Sequence, residues 1–175
     1  PPAKARSCDL QKQKHRSLDE HSFEHSESFR FVLPGYNVRP LEMSGAIGME
    51  QLKKLPSFIN KRRENAGVFI ELFKNDDRFI IQKEIGESSW FGFSLIIDDK
   101  SISRKSIIKL LGDNNIDCRP IVTGNFTRND VMKYFNYSIH NNLDNADKLH
   151  ERGLFVGNSH ADLNKELHYL KKILE

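Results

Sequence analysis

Pro34 and Pro40 fix the backbone at the head of residues 31–55, FVLPGYNVRPLEMSGAIGMEQLKKL, and so dictate how the rest of the chain is entered. Pro34-Gly35 is a turn signal, and Pro40 keeps Arg39 out of the helical region, so Tyr36, Asn37, Val38 and Arg39 run extended into a helix. Side chains alternate along an extended segment. Asn37 and Arg39 therefore project to one side, where an amide and a guanidinium form a fork for an anion, or else tie the loop to the helix behind it. From Glu42 onward Met43, Ala46, Ile47, Leu52 and Leu55 keep helical spacing, while Gly45 and Gly48 thin one face enough for close helix contact. Pro56 cannot continue that helix without a kink but suits the first turn of a second one, residues 57–73, with Phe58, Ala66, Phe69, Ile70 and Phe73 on one stripe. The pattern predicts a long bent helix pair, with Lys61, Arg62, Arg63 and Glu64 as a solvated face.

The remainder alternates strand and helix signals. Residues 78–85 (RFIIQKEI) and 88–98 (SSWFGFSLIID) read as two strands, the second dominated by Trp90, Phe91, Phe93, Leu95 and Ile97. A short Gly-Glu-Ser connection between them predicts an antiparallel hairpin. Ser101 or Ser103 caps a helix through Leu111, stopped by Gly112 and the Asp113-Asn114-Asn115 turn. Residues 116–122 (IDCRPIV) form a third strand, in which Pro120 demands an edge or a strand end. A short helix over 143–150, a strand over 153–157 placing Asn158 and His160, and an amphipathic helix over 162–174 with Leu163, Leu167, Leu170 and Leu174 inward complete the chain. This order gives an α+β domain, a mostly antiparallel sheet covered by helices on one face.

Length and composition narrow the function. The 175 residues fit one domain or a little more, and 38% hydrophobic with 29% charged residues fit a soluble globular protein. A formal net charge of only +3 gives no argument for nucleic acid, and no nucleic-acid motif is present. Cys8 and Cys118 stand in neither a Cys-x-x-Cys nor a zinc spacing, which fits a reducing, cytoplasmic setting. No apolar run nears the roughly 18 residues of a membrane span, so no membrane partner is expected. The chain opens on Pro1 without Met, compatible with a fragment or a processed product. Residues 1–30 are polar and without apolar periodicity, a leader or loop remnant. Within them His21-Ser22-Phe23-Glu24-His25 matches H-x-x-E-H, but a catalytic zinc also needs a third ligand and a packed, dry helix, so no metal is expected.

The run GYNVRPLEMSGAIGMEQLKKLPSFINKRREN resembles the signature closing the large domain of the DegT/DnrJ/EryC1/StrS family, nucleotide-sugar aminotransferases of the type I pyridoxal-phosphate fold. RPIVTGNFTRNDVMKYFNYSIH and NLDNADKLHERGLFVGNSH are similar to its branch of sugar 3-dehydrases and perosamine-type synthases, which modify GDP- or CDP-linked 4-keto-6-deoxyhexoses for O-antigen assembly. The resemblance implies that the chain is the C-terminal portion of such an enzyme. Residues 31–73 would be the end of the large domain and the interdomain helices, and residues 74–175 the small domain. It implies a homodimer in which Asn37 reaches the cofactor phosphate of the neighbouring subunit, beside Arg39. It further implies pyridoxal or pyridoxamine phosphate as cofactor, and a catalytic Lys, or in dehydrases a His, upstream of this chain.

Tyr36, Arg119, Asn125, Phe126 and His160 are the candidate substrate-binding residues. Arg119, alone in an apolar strand, either pairs with a buried carboxylate or faces a ligand anion. The resemblance, whose Arg-Pro step faces the active-site cleft, favours the latter. Gly124 allows a backbone approach that a side chain would block. Phe126 either stacks on a sugar or base or plugs the core, and His160 titrates in the range useful to an acid or base. A non-catalytic dimerisation domain built on residues 31–55 is the alternative reading.

Overall fold

The computed structural model describes residues 33–35 and 41–175. One continuous helix, α1 (Glu42–Phe73), replaces the expected pair, with Pro56 lying inside it. A proline there removes one N–H from the helical ladder. The helix runs through it, and Ser57 Oγ donates to the Lys54 carbonyl at 2.8 Å beside the gap. The two halves of α1 differ in surroundings. In the second half Asn65, Ala66, Phe69 and Phe73 are buried at helical spacing, whereas Met43, Ile47, Met49 and Leu52 in the first half are exposed.

A four-stranded sheet follows in the order β1-β2-β4-β3, formed by β1 (Phe79–Ile81), β2 (Gly92–Ile97), β3 (Cys118–Arg119) and β4 (Gly153–Gly157). Every pairing is antiparallel, with Ile81 opposite Leu95, Leu95 opposite Leu154, and Cys118 opposite Val156. The β1–β2 hairpin exists, but both strands are shorter than the apolar runs suggest. Their connection spans residues 82–91 instead of three residues, and within it Trp90 takes a positive φ of 48°. The third strand likewise shrinks to two residues at the sheet edge, where Pro120 costs no ladder bond.

Three helices complete the fold. In α2 (Arg104–Asp113) the Ser103 side chain accepts from the Ser106 amide, the cap the sequence predicts. The others are α3 (Asp144–Arg152) and α4 (Asn164–Leu174). Phe93, Leu95 and Ile97 of β2 and Leu154 and Val156 of β4 face one way and are sealed by Phe69 and Phe73 of α1, Leu111 of α2 and Leu167, Leu170 and Leu174 of α4. Phe69 stacks on Phe93 with ring centroids 4.6 Å apart. Each such side chain contributes about 1.5–3 kcal/mol by leaving water. The opposite face carries Ser94, Phe155 and Arg119 on one line across β2, β4 and β3, and α3 contacts β2 and β4. At its end Gly92 admits the Phe155 ring, which an added Cβ would meet at 2.7 Å.

Candidate functional site

The turn that leaves β3 holds three of the sequence-predicted site residues. Arg119 is exposed on the edge strand, and among the described residues its guanidinium makes no hydrogen bond or ion pair. A planar cation with five unspent donors on an open sheet edge suits a phosphate or carboxylate. Pro120 then redirects the chain, Val122 adopts a φ of 47° that is costly for a β-branched residue, and Gly124 follows at 59°. Phe126 is 41% exposed. It is a surface ring.

Asn125 is tied down from within. It is buried, its Nδ2 donates to Asp147 Oδ1 at 2.8 Å, and its Oδ1 accepts from Thr127 N at 3.1 Å and Thr127 Oγ1 at 2.7 Å. Its own amide donates to His150 Nδ1 at 3.3 Å. Arg128 then bridges Asp147 at 2.6 Å and Glu151 at 2.9 Å. The Thr123 to Arg128 turn is thereby laid along α3. Asp147 is held below the usual carboxylate range, first by the Asn125 hydrogen bond and then by Arg128. Burial, with Arg128 and Arg104 beside it, keeps the His150 imidazole below its ordinary value. Gly124 does permit a backbone approach, and the partner is His150: an added Cβ would lie 2.8 Å from its Cα.

His160 lies elsewhere. β4 starts beside this turn, where Gly153 meets Ile121, and ends at Gly157, so His160 sits past the far end of a strand about 13 Å long. There it stacks on Phe58 of α1 at 4.1 Å between centroids. Arg119, Asn125 and Phe126 thus share one turn, and His160 does not join them. Asn158, expected near a cleft, donates to the carbonyls of Arg62 and Trp90 at 3.0 Å each and accepts from buried Asn65. Asn65 also binds the carbonyls of Ser159 and Ala161 and the Leu163 amide. The basic run on α1 is no solvated face either. Arg62 donates to the carbonyls of Ser89 and Trp90, and Arg63 to that of Ser88, clamping the long connection. Lys61 and Glu64 remain a surface pair.

Asn37, Arg39 and Tyr36 lie outside the described residues, as does the His21–His25 pattern. Among the described residues no His, Cys, Asp and Glu cluster could hold a metal, and no helix is long and apolar enough to cross a membrane. Of the described polar groups that could meet a cofactor phosphate, several are already engaged. The buried amides Asn65 and Asn125 are spent internally, and Lys61, Lys74, Lys148 and Lys171 are in ion pairs. An apolar groove of about 410 Å³ runs along the first half of α1, lined by Gly45, Gly48, Met49, Leu52, Leu55 and Phe58.

The sequence model of the DegT/DnrJ/EryC1/StrS aminotransferase family matches residues 7–170. A GDP-4-keto-6-deoxy-D-mannose 3-dehydratase of Escherichia coli O55:H7 is 59% identical over 151 residues, 85% of this chain and 39% of its own length. The E. coli GDP-4-keto-6-deoxy-D-mannose-3-dehydratase structure with bound hydrated PLP superposes with a TM-score of 0.76 at 59% identity, over 85% of this chain and 39% of that one. A GDP-4-keto-6-deoxymannose-3-dehydratase (ColD) variant with bound GDP-perosamine gives 0.76 at 56% identity, over 91% and 41%. The chain spans about two fifths of the length of the relatives it matches.

Proposed function

Because this chain belongs to the DegT/DnrJ/EryC1/StrS aminotransferase family, we propose that it is the C-terminal portion of a cytoplasmic, homodimeric 3-dehydratase that acts on a GDP-linked 4-keto-6-deoxyhexose in O-antigen biosynthesis. The observation that carries the reading is 59% identity across most of the chain to a protein named for that reaction. The cofactor is pyridoxal or pyridoxamine phosphate. When bound it supplies the electron sink for losing the C3 hydroxyl. We assign its binding to Asn37 and Arg39 of this chain, acting on the neighbouring subunit as the family resemblance implies, and to residues of the rest of the enzyme.

The groups assigned to substrate have separate tasks. Arg119 has a free guanidinium for the nucleotide diphosphate, and Phe126 presents an exposed ring to sugar or base. Tyr36 is assigned to the same substrate on the family resemblance alone. Asn125 serves by holding the turn in shape, since its amide is already occupied. His160 meets substrate only if another part of the enzyme brings the two ends of β4 into one cleft.

The test is product analysis. The full-length protein, given pyridoxamine phosphate and GDP-4-keto-6-deoxymannose, should yield a nucleotide sugar lacking the C3 hydroxyl, read by mass spectrometry. A stable amino sugar as the sole product would make it an aminotransferase instead. Asn37→Ala in that protein should weaken cofactor retention, read from the cofactor absorbance after gel filtration. A second reading has its own observation: the exposed apolar side of α1 from Met43 to Leu55 suits a dimer contact. A stable dimer of this chain by light scattering, with no absorbance change on adding pyridoxal phosphate, would favour it.

A further inference from the structure

We propose that His150 is a positioning residue, whose neutral imidazole latches the Thr123 to Arg128 turn onto α3 and whose protonation releases it. The geometry leaves little freedom. Nδ1 accepts the Asn125 amide, so the ring must be unprotonated at that nitrogen, and the Gly124 backbone rests against the ring with no room for a Cβ. A proton on Nδ1 would set one N–H against another and end that bond.

Burial of the ring comes first in setting the sign, and the charges around it come next. Arg104, reaching from α2, donates to the His150 carbonyl at 2.5 Å, and Arg128 stands on the turn itself, so two guanidiniums oppose an imidazolium. Glu151 and Asp147 on α3 and the Thr123 carbonyl favour it. Burial and the two guanidiniums outweigh these, and the ring is held neutral below its ordinary range. Arg128 is shared: it anchors the turn through Asp147 and Glu151 while repelling a charged His150. Protonation therefore strains the second anchor as it removes the first. The latch itself involves no substrate. Only its consequence, that it orients Phe126 and the Arg119 strand end toward substrate, rests on the function proposed above.

The experiment is amide exchange by NMR on the full chain between pH 8 and pH 5, corrected for intrinsic exchange. Exchange at Asn125 and Thr127 should speed up at least tenfold, with a midpoint equal to that of the His150 ring resonances, while amides of β2 and β4 hold. In His150→Gln, whose amide oxygen can still accept, the pH dependence should vanish. Titration of His150 with no change at Asn125, or an equal response in His150→Gln, would overturn the latch. Should the variant not fold, the native chain still decides, because the β2 and β4 amides separate local release from unfolding. No substrate is involved, so failure here leaves the 3-dehydratase reading untouched, and failure of the product assay leaves the latch untouched.

Discussion

Gly124 is where one added methyl group should do most harm. Its φ of 59° strains any L side chain, and a Cβ would sit 2.8 Å from the His150 Cα, a backbone atom that cannot swing aside. Gly124→Ala is expected to cost about 2 kcal/mol, combining the left-handed penalty with the overlap, measured as a shift of the urea midpoint at constant slope. Val122 offers the converse: at φ 47° and largely exposed, Val122→Gly should be neutral or slightly stabilising, although valine to glycine inside a strand would normally destabilise. Cys118 makes a chemical prediction. Burial, with Asp117 adding to it, pushes the thiol up to about 11, so iodoacetamide at pH 8 should leave Cys118 unmodified in the folded chain and alkylate it in urea, checked by peptide mass mapping. At this scale the sequence pointed to Gly124 and to a close approach there. It could not reveal that His150 is what approaches, because nothing local in HERG marks an imidazole as the acceptor of an amide far back along the chain.

Among the elements, α1 carries most of what was misread. Apolar spacing located both of its halves, and β4 and α4 emerged almost at their predicted limits, since each pairs a clear period with clean end signals. Pro56 was taken for a boundary, yet a proline breaks a helix only when the lost bond and the ring clash outweigh the packing on either side. Charge patterning predicts a solvated KRRE run, whereas its role depends on carbonyls supplied by residues 88–90, a long-range partnership that such patterning does not encode. Asn65 belongs to the same class. Its amide donates to Asn158, Ser159 and Ala161 and accepts from Leu163, so together with the Asn158 bond to the Arg62 carbonyl and the Phe58–His160 stack it joins α1 to the passage from β4 to α4. Asn65→Ala should orphan several of these groups in a buried place and cost about 3 kcal/mol, read by urea unfolding. Asn65→Asp, which keeps the shape but turns donors into a buried charge, should cost at least as much. A loss within about 0.5 kcal/mol for the alanine variant would mean that water replaces the amide and that the junction is softer than drawn.

For the molecule as a whole, acid is the condition that separates its parts. Three elements are stapled by Asp76, whose nearly buried carboxylate takes Arg78 at 2.8 Å and Lys171 at 2.5 Å, while Arg78 also donates to the Leu174 carbonyl. One carboxylate thus joins the end of α1, the start of β1 and the last turn of α4. Arg78 first, then Lys171, holds Asp76 far below the usual carboxylate range against the opposing effect of burial. A depressed folded pKa means that the unfolded chain takes up the proton first as acid is added. Its stabilisation is therefore complete above about pH 4, the ordinary aspartate value, and is lost as pH falls further. His150 is also depressed, so its loss begins earlier, below about pH 6.5, and is confined to the turn it holds. Asp76→Asn should cost about 3 kcal/mol at pH 7, because it leaves two cations around a neutral amide. That gap should narrow steadily between pH 4 and pH 2, measured as the difference in unfolding free energy between native and variant chains. Parallel curves down to pH 2 would show that the three elements are held by their apolar contacts alone.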